Sequence, residues 1–132
     1  SSKVNFKTPL DMNQTTIKLK KDDQPLPVDF CSTKNRNLSI KEISVKGKVL
    51  MLHLDHGSHH ALLDFTGAAD FQLLSFDDEG KFIGASLAIN NAYGFMIQSQ
   101  AHFVFLLPYK KRILDLVDII NQEEMLHLKN LR

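Results

Sequence analysis

Residues 71–89 read FQLLSFDDEGKFIGASLAI, and this stretch decides the fold of the chain. Two apolar runs, 71–76 and 81–89, flank the polar tetrad Asp-Asp-Glu-Gly at 77–80. Glycine adopts a positive φ without a steric penalty, and aspartate side chains accept hydrogen bonds from the turn backbone. The tetrad therefore predicts a hairpin turn, and the two runs are predicted to pair as neighbouring antiparallel strands.

Further strands are predicted on both sides of the hairpin, from apolar runs that are bounded by turn residues. They cover residues 15–20, 26–30, 49–52, 61–65 and 102–107. Pro27 has no amide hydrogen, so its strand is predicted to begin there or to lie at a sheet edge. Residues 38–43 fit either a short helix or an irregular segment. The whole pattern predicts a mainly β domain (all-β to α+β), a small barrel or sandwich of about six to seven short strands.

One amphipathic helix is predicted near the C-terminus. Apolar residues recur there at i, i+3, i+4 and i+7: Ile113, Leu116, Val117 and Ile120. This stripe is typical of a helix that packs on a sheet, and it is also compatible with a homodimer seam, so monomer and homodimer both stay open. We expect residues 1–13 to form an N-terminal arm and residues 14–132 to form one globular, soluble domain.

The composition is that of one ordinary globular domain. The chain has 132 residues, of which 43% are hydrophobic and 23% are charged, which suffices for a single core. A balance of 16 basic and 15 acidic side chains leaves a net charge of +1, so no strong field favours nucleic acid or anionic membranes. Six aromatic residues of the second half of the chain are therefore assigned to the core instead of a surface that stacks nucleic-acid bases: Phe82, Tyr93, Phe95, His102, Phe103 and Phe105. No apolar stretch reaches the roughly 18 residues that a membrane-spanning helix needs.

The cysteine content and the start of the chain bear on the cellular compartment. Cys31 is the only cysteine, which excludes an internal disulfide and a zinc site built on several cysteines. It lies in the largely apolar run 28–31, so we expect a buried and chemically inert thiol. The chain starts with Ser1 and shows no targeting segment, and this start is compatible with a signal peptide removed upstream. The sequence therefore assigns no compartment.

The strongest candidate for chemistry is the histidine-rich loop, residues 53–60, which reads HLDHGSHH. On an extended strand His53 and Asp55 project to the same face, and Gly57 is suited to turning the chain so that a later histidine returns toward them. Neutral imidazoles and a carboxylate are ligands that zinc and similar divalent metals prefer. The candidate metal ligands are His53, Asp55, His56, His59 and His60. The alternative is a solvated polar loop between two strands, with no cofactor.

No complete catalytic signature is present in the sequence. Ser58 stands beside histidines but lacks the glycine-flanked elbow of serine hydrolases. The six glycines are dispersed singly instead of forming a phosphate-binding loop. The acidic residues 77–79 are explained by the hairpin turn. We therefore predict no catalytic residue and no residue that binds an organic cofactor.

Several strings along the chain form an ordered pattern: residues 28–33 with Arg36, 38–40, 47–54, 62–67, 70–80 and 100–108. In this order they resemble the uncharacterised family called domain of unknown function 192. The matches are best in the segment that ends at Gly80 and in the last strand before Pro108. The chain departs from the family's hallmark at Thr66, where the family has asparagine, and at Gln72, where it has aspartate. It also contains no tryptophan.

The resemblance implies a β-rich fold, but the activity of the family is unsettled, so it implies no reaction. Our functional expectation is a non-enzymatic binding or accessory domain that contacts a protein or a small ligand through a sheet face or a loop. The alternative is a metal-binding protein or metal-dependent hydrolase that uses the histidine-rich loop and zinc or another divalent metal. Stoichiometric metal in the purified protein favours the alternative, and indifference to chelators favours the binding domain.

Overall fold

Nine β-strands make up most of the described part of the chain. The computed structural model describes residues 5–7, 13–18, 25–41, 49–55, 57, 59–89 and 91–109. The strands are β1 (Asn13–Lys18), β2 (Pro25–Thr33), β3 (Asn37–Ser39), β4 (Leu50–Leu54), β5 (Ala61–Asp64), β6 (Phe71–Phe76), β7 (Phe82–Ala88), β8 (Phe95–Ile97) and β9 (Phe103–Pro108). The predicted mainly β fold is confirmed, whereas the helix predicted over residues 113–120 lies outside the described residues. Within the described ranges no helix is long and apolar enough to cross a membrane.

The strands form two open sheets, and no closed barrel is present in the described part of the chain. The larger sheet has six strands in the order β1-β2-β4-β9-β6-β7, and the smaller has three in the order β3-β5-β8. The pairs β2–β4 and β3–β5 are parallel, and the other pairs are antiparallel. Lys7, from the predicted N-terminal arm, adds a bridge to the smaller sheet. Its N–H donates to the Asn37 carbonyl and its carbonyl accepts from the Ser39 N–H, both at 2.9 Å.

The prediction of about six to seven strands is too low because β3 and β8 have only three residues each. An alternating pattern cannot be read over three residues. Both strands owe their conformation to pairing with β5, which is distant from each of them along the chain. Leu38 and Ile97 are the buried residues of these two strands. The segment predicted as a short helix or irregular structure therefore begins within a strand.

Pro27 lies inside β2, which is an interior strand of the larger sheet and begins at Pro25. The prediction that this strand begins at Pro27 or lies at a sheet edge is therefore wrong for the strand as a whole. The reason for that prediction, the missing amide hydrogen of Pro27, still applies locally, because β2 pairs with β4 only from Asp29 onward. Pro27 has a neighbour on the β1 side, where it lies opposite Thr16, so the missing amide hydrogen falls where β2 is locally an edge.

One hydrophobic core lies between the two sheets. The larger sheet contributes alternate side chains such as Leu52 and Phe71, and the smaller sheet contributes residues such as Leu63. Phe65, which follows β5, packs on Phe71 with the ring centroids 5.7 Å apart. Cys31 belongs to the same core, so the predicted burial of this thiol is confirmed.

The central strands of the larger sheet are buried on both faces. At the register positions that face away from the core between the sheets, Met51, Phe76, Phe103 and Phe105 are also fully buried. Phe76 meets Phe105 edge-on, with the ring centroids 5.7 Å apart. Burial on both faces explains why β9 reads as a continuous apolar run instead of an alternating one. The assignment of Phe103 and Phe105 to the interior is thereby confirmed.

The hairpin between β6 and β7 forms as predicted. Oδ1 of Asp77 accepts hydrogen bonds from the N–H of Glu79 at 3.0 Å and from the N–H of Lys81 at 2.8 Å. The Asp77 N–H in turn donates to the Lys81 carbonyl at 2.8 Å. Gly80 has a φ of 93°, in the region that favours glycine. The turn therefore uses the aspartate and the glycine for the reasons that predicted it.

Candidate binding cleft

His53, the first candidate metal ligand, lies on β4 and is half-buried. Its Nδ1 is 2.8 Å from Oγ of Ser32 on the neighbouring strand β2. Its ring stacks on Phe103 of β9, with the centroids 4.5 Å apart and the planes 14° from parallel. The imidazole is thus held from both neighbouring strands, and coordinating a metal through Nδ1 requires loss of the contact with Ser32.

The other candidate ligands follow β4. Asp55, His59 and His60 are exposed in the loop between β4 and β5, and His56 lies outside the described residues. Gly57 has a φ of 66°, which glycine adopts more readily than other residues. Among the described residues no group of three or more His, Cys, Asp or Glu side chains is arranged to hold a metal ion. The zinc site therefore stays a prediction.

A cleft of about 310 Å³ opens between β7 and β8, which are the edge strands of the two sheets on this side. Its apolar lining includes Phe95 and Ile97 on β8 and Ala101 just before β9. The larger sheet lines it with Ser75 on β6 and with residues 83–86 of β7. This volume lies at the lower end of the range for ligand sites, roughly 300–1,000 Å³.

The cleft exists because β7 presents small residues toward the smaller sheet. The register places Gly84 opposite Ser75 and Ser86 opposite Leu73, on the face that carries the core. Ala88, the next residue on this face, is buried, whereas Gly84 is half-buried and Ser86 is exposed. A Cβ added to Gly84 would meet no heavy atom within 4 Å. The core is therefore unfilled at this end of β7.

The surface around the cleft carries no charge, and the cleft lining combines apolar residues with polar ones such as Ser75, Ser86 and Gln98. Residues 82–101 form a run of twenty residues without Asp, Glu, Lys, Arg or His. Five of the six large exposed hydrophobic residues in the described ranges fall in this run: Ile83, Leu87, Ile89, Tyr93 and Met96. Tyr93 and Met96 are exposed by 67% and 59%. The assignment of Tyr93 to the core is therefore wrong, because this residue lies in the connection between β7 and β8 and not on a buried strand face. Single exposed apolar residues are ordinary, whereas this surface concentrates them in and beside two edge strands.

The sequence predicts the strand that forms this surface but not its role. The strand predicted over 81–89 is found as β7, Phe82–Ala88. The sequence feature that bears on this surface is the absence of charged residues over 82–101, because edge strands of soluble proteins usually carry charged residues. A fully buried strand also lacks charge, so the sequence does not distinguish an exposed edge strand from a buried one.

A larger cavity, of about 650 Å³, lies at the opposite edge of the larger sheet. Residues 14–16, 27–29 and Val49 line it. Asp29 is the one ionisable side chain among these lining residues. None of the described candidate metal ligands lines this cavity, which is the alternative place for binding.

The comparisons with known proteins found no match to a family model, to a curated protein or to a solved structure. The features of this chain that bear on its function are therefore its own: the cleft between β7 and β8 and the uncharged surface around it.

Proposed function

We propose that this protein is a non-enzymatic binding domain that holds an uncharged, apolar segment of a partner protein in the cleft between β7 and β8. The observation that carries the proposal is an open cleft of about 310 Å³ within a run of twenty residues without charge. An apolar side chain that enters the cleft leaves water and contacts the apolar lining residues Phe95 and Ile97. A charged side chain is disfavoured, because an uncharged lining does not compensate its desolvation.

The resemblance to the domain of unknown function 192 family enters the same proposal. Gln72, which replaces the aspartate of the family's hallmark, lies on β6. Its Nε2 donates to the Ser86 carbonyl at 2.9 Å and to the Leu73 carbonyl at 3.3 Å. We propose that the chain is a divergent member in which this position supports the strand that borders the cleft. An experimental structure of a family member with a strand order other than β1-β2-β4-β9-β6-β7 would contradict this membership.

Filling the cleft is expected to weaken binding without harming the fold. Gly84→Ile places a side chain in open space, since a Cβ there meets nothing within 4 Å, and β-branched residues favour strands. Short linear peptides selected on phage against the wild-type protein are expected to bind this variant at least about tenfold more weakly. One apolar side chain contributes roughly 1.5–3 kcal/mol when it is buried. Fluorescence anisotropy measures the affinities, and thermal unfolding of each variant verifies the fold.

The matched control is Thr16→Ile, which adds the same side chain at an exposed position of β1, the opposite edge of the larger sheet. We expect this control to keep the wild-type peptide affinity. A loss of affinity in Thr16→Ile but not in Gly84→Ile would place binding at the cavity of about 650 Å³ and contradict the proposal. The proposal is also contradicted if the selection enriches no peptide, or if the selected peptides bind Gly84→Ile as tightly as the wild type.

Metal binding by the histidine-rich loop is a second candidate function. It is favoured by the exposure of Asp55, His59 and His60 around the turn at Gly57. Under this function, protein purified without a histidine tag retains about one zinc ion per chain, and the double variant His59→Ala/His60→Ala loses it, because imidazoles are preferred zinc ligands. Elemental analysis and calorimetric zinc titration measure both properties. No retained metal together with no heat on adding zinc would exclude this function.

A further inference from the structure

We propose that the partner segment binds as an added antiparallel strand on the edge of β7, with every second side chain inserted into the cleft. This inference rests on the proposed function and specifies how the partner is recognised. β7 is the last strand of the larger sheet, and within the described part of the chain it pairs with β6 alone. The outer side of an edge strand presents backbone N–H and C=O groups that another strand can pair with.

Hydrogen bonds at the end of β6 show which of its backbone groups face β7. The Asp77 N–H donates to the Lys81 carbonyl, toward β7. The Phe76 carbonyl accepts from the His102 N–H, toward β9. Because the backbone groups of successive residues alternate in direction along a strand, the odd-numbered residues of β6 direct theirs to β7.

The register converts this alternation into an orientation for β7. Gly84 and Ser86 pair with odd-numbered residues of β6, so their N–H and C=O groups face β6 and their side chains face the cleft. Ala85 and Leu87 alternate with them, so their N–H and C=O groups face outward at the sheet edge. An added antiparallel strand hydrogen-bonds to Ala85 and Leu87, and its residues opposite Gly84 and Ser86 project into the cleft.

The bulge near the hairpin limits the added strand to about five residues. The register shifts between Ser75 and Phe76, which leaves Ile83 as an extra residue on β7. Beyond it, residues 84–88 form a regular ladder with β6. β7 contains neither a charged residue nor a proline, which are common protections of an edge strand. Within the described part of the chain, no strand pairs with the outer side of this short stretch.

The cleft selects an occupant other than a second copy of β7. If β7 paired with itself, small residues of the copy such as Gly84 and Ser86 would face the cleft, and they do not fill about 310 Å³. A strand with large apolar residues at alternate positions fills it. Because residues 82–101 carry no charge, charged residues in the occupant would lose hydration without gaining a counter-charge from this surface. The occupant is therefore an extended, uncharged segment of another protein with large apolar residues at every second position.

Two scans of one peptide test the strand addition. The probe is the peptide that binds the wild-type protein most tightly in the phage selection. One scan replaces each of its residues with alanine, and the other methylates each of its backbone N–H groups. Residues that enter the cleft are expected to lose at least about tenfold in affinity on alanine substitution and less than about threefold on methylation. Their neighbours are expected to show the reverse, because their N–H groups donate to Ala85 and Leu87.

The outcomes separate the two proposals, and because the variants are made in the peptide, the fold of the protein is unchanged. The expected result is scans that alternate out of phase, with slower hydrogen exchange at the amides of Ala85 and Leu87 in the complex. The strand addition is overturned if the affinity losses do not alternate along the peptide, or if the alanine and methylation scans lose affinity at the same positions. It is also overturned if the amides of Ala85 and Leu87 exchange as fast in the complex as in the free protein. The variant Gly84→Ile tests the cleft independently of strand addition. An empty selection overturns both proposals. Sedimentation that shows a dimer broken by Leu87→Lys, without peptide binding, identifies a second copy as the occupant and also overturns both.

Discussion

Replacing Phe76 with alanine is expected to destabilise the protein by about 3–5 kcal/mol, the usual cost of removing a buried phenyl ring. Phe76 is 0% exposed and meets Phe82 and Phe105 edge-on at centroid distances of 5.5 and 5.7 Å. Close-packed neighbours on other strands collapse only partly into the cavity that the truncation leaves. Such a loss is a large fraction of the roughly 5–15 kcal/mol that stabilises a domain. Urea unfolding followed by circular dichroism measures it.

Two control variants separate packing from a general effect of substitution. Phe76→Leu keeps an apolar side chain of moderate size and is expected to cost about 1–1.5 kcal/mol. Ile83→Ala alters a neighbouring side chain that is 40% exposed and is expected to stay within about 0.5 kcal/mol of the wild type. Similar urea midpoints for Phe76→Ala and Ile83→Ala would contradict the burial of Phe76 between its neighbours on β7 and β9.

Asp77→Ala is expected to lower the free energy of unfolding by about 2 kcal/mol, because a charged acceptor is lost from the hairpin turn. The carboxylate holds two backbone donors, the N–H groups of Glu79 and Lys81. The turn joins β6 to β7 and sets their register, so its loosening also reaches the edge strand that borders the cleft. Differential scanning calorimetry measures the change.

Asp77→Asn is the matched control for this prediction, because the amide keeps an Oδ1 acceptor at the same place. Asp77→Asn is expected to lower the free energy of unfolding by less than about half as much as Asp77→Ala does. Glu79→Ala leaves the Glu79 N–H in place and is expected to change stability by no more than about 0.5 kcal/mol. Unfolding temperatures that do not distinguish Asp77→Ala from Glu79→Ala would refute the role of the carboxylate in the turn.

The strands with local signals were predictable, and the shortest were not. β6 occupies residues 71–76 as predicted, since a hairpin signal and two apolar runs are adjacent in the chain. β3 and β8 have three residues each, which is too few for a period to appear. Their extended conformation depends on pairing with β5. The residues near them in the chain do not indicate that β5 is the strand with which they pair.

The candidate metal site shows a second limit of reading residue types along a chain. The spacing of His53 and Asp55 predicts a shared face, but the partners of the His53 ring include Ser32 and Phe103. These two residues come from β2 and β9, and no local pattern connects them to the histidine. The direction of a side chain in a sheet follows from its alternation, whereas what it touches follows from which strands lie beside it.

By itself, the sequence determined the β-rich interior, the turn at residues 77–80, the burial of Cys31 and the absence of charge over residues 82–101. Only the tertiary structure decided that β7 and β8 are edge strands and that Gly84 faces unfilled space between them. A turn and an alternating strand are specified by residues adjacent in the chain. The identity of an edge, and the completeness of a core, depend on contacts between residues far apart, which local chemistry does not encode.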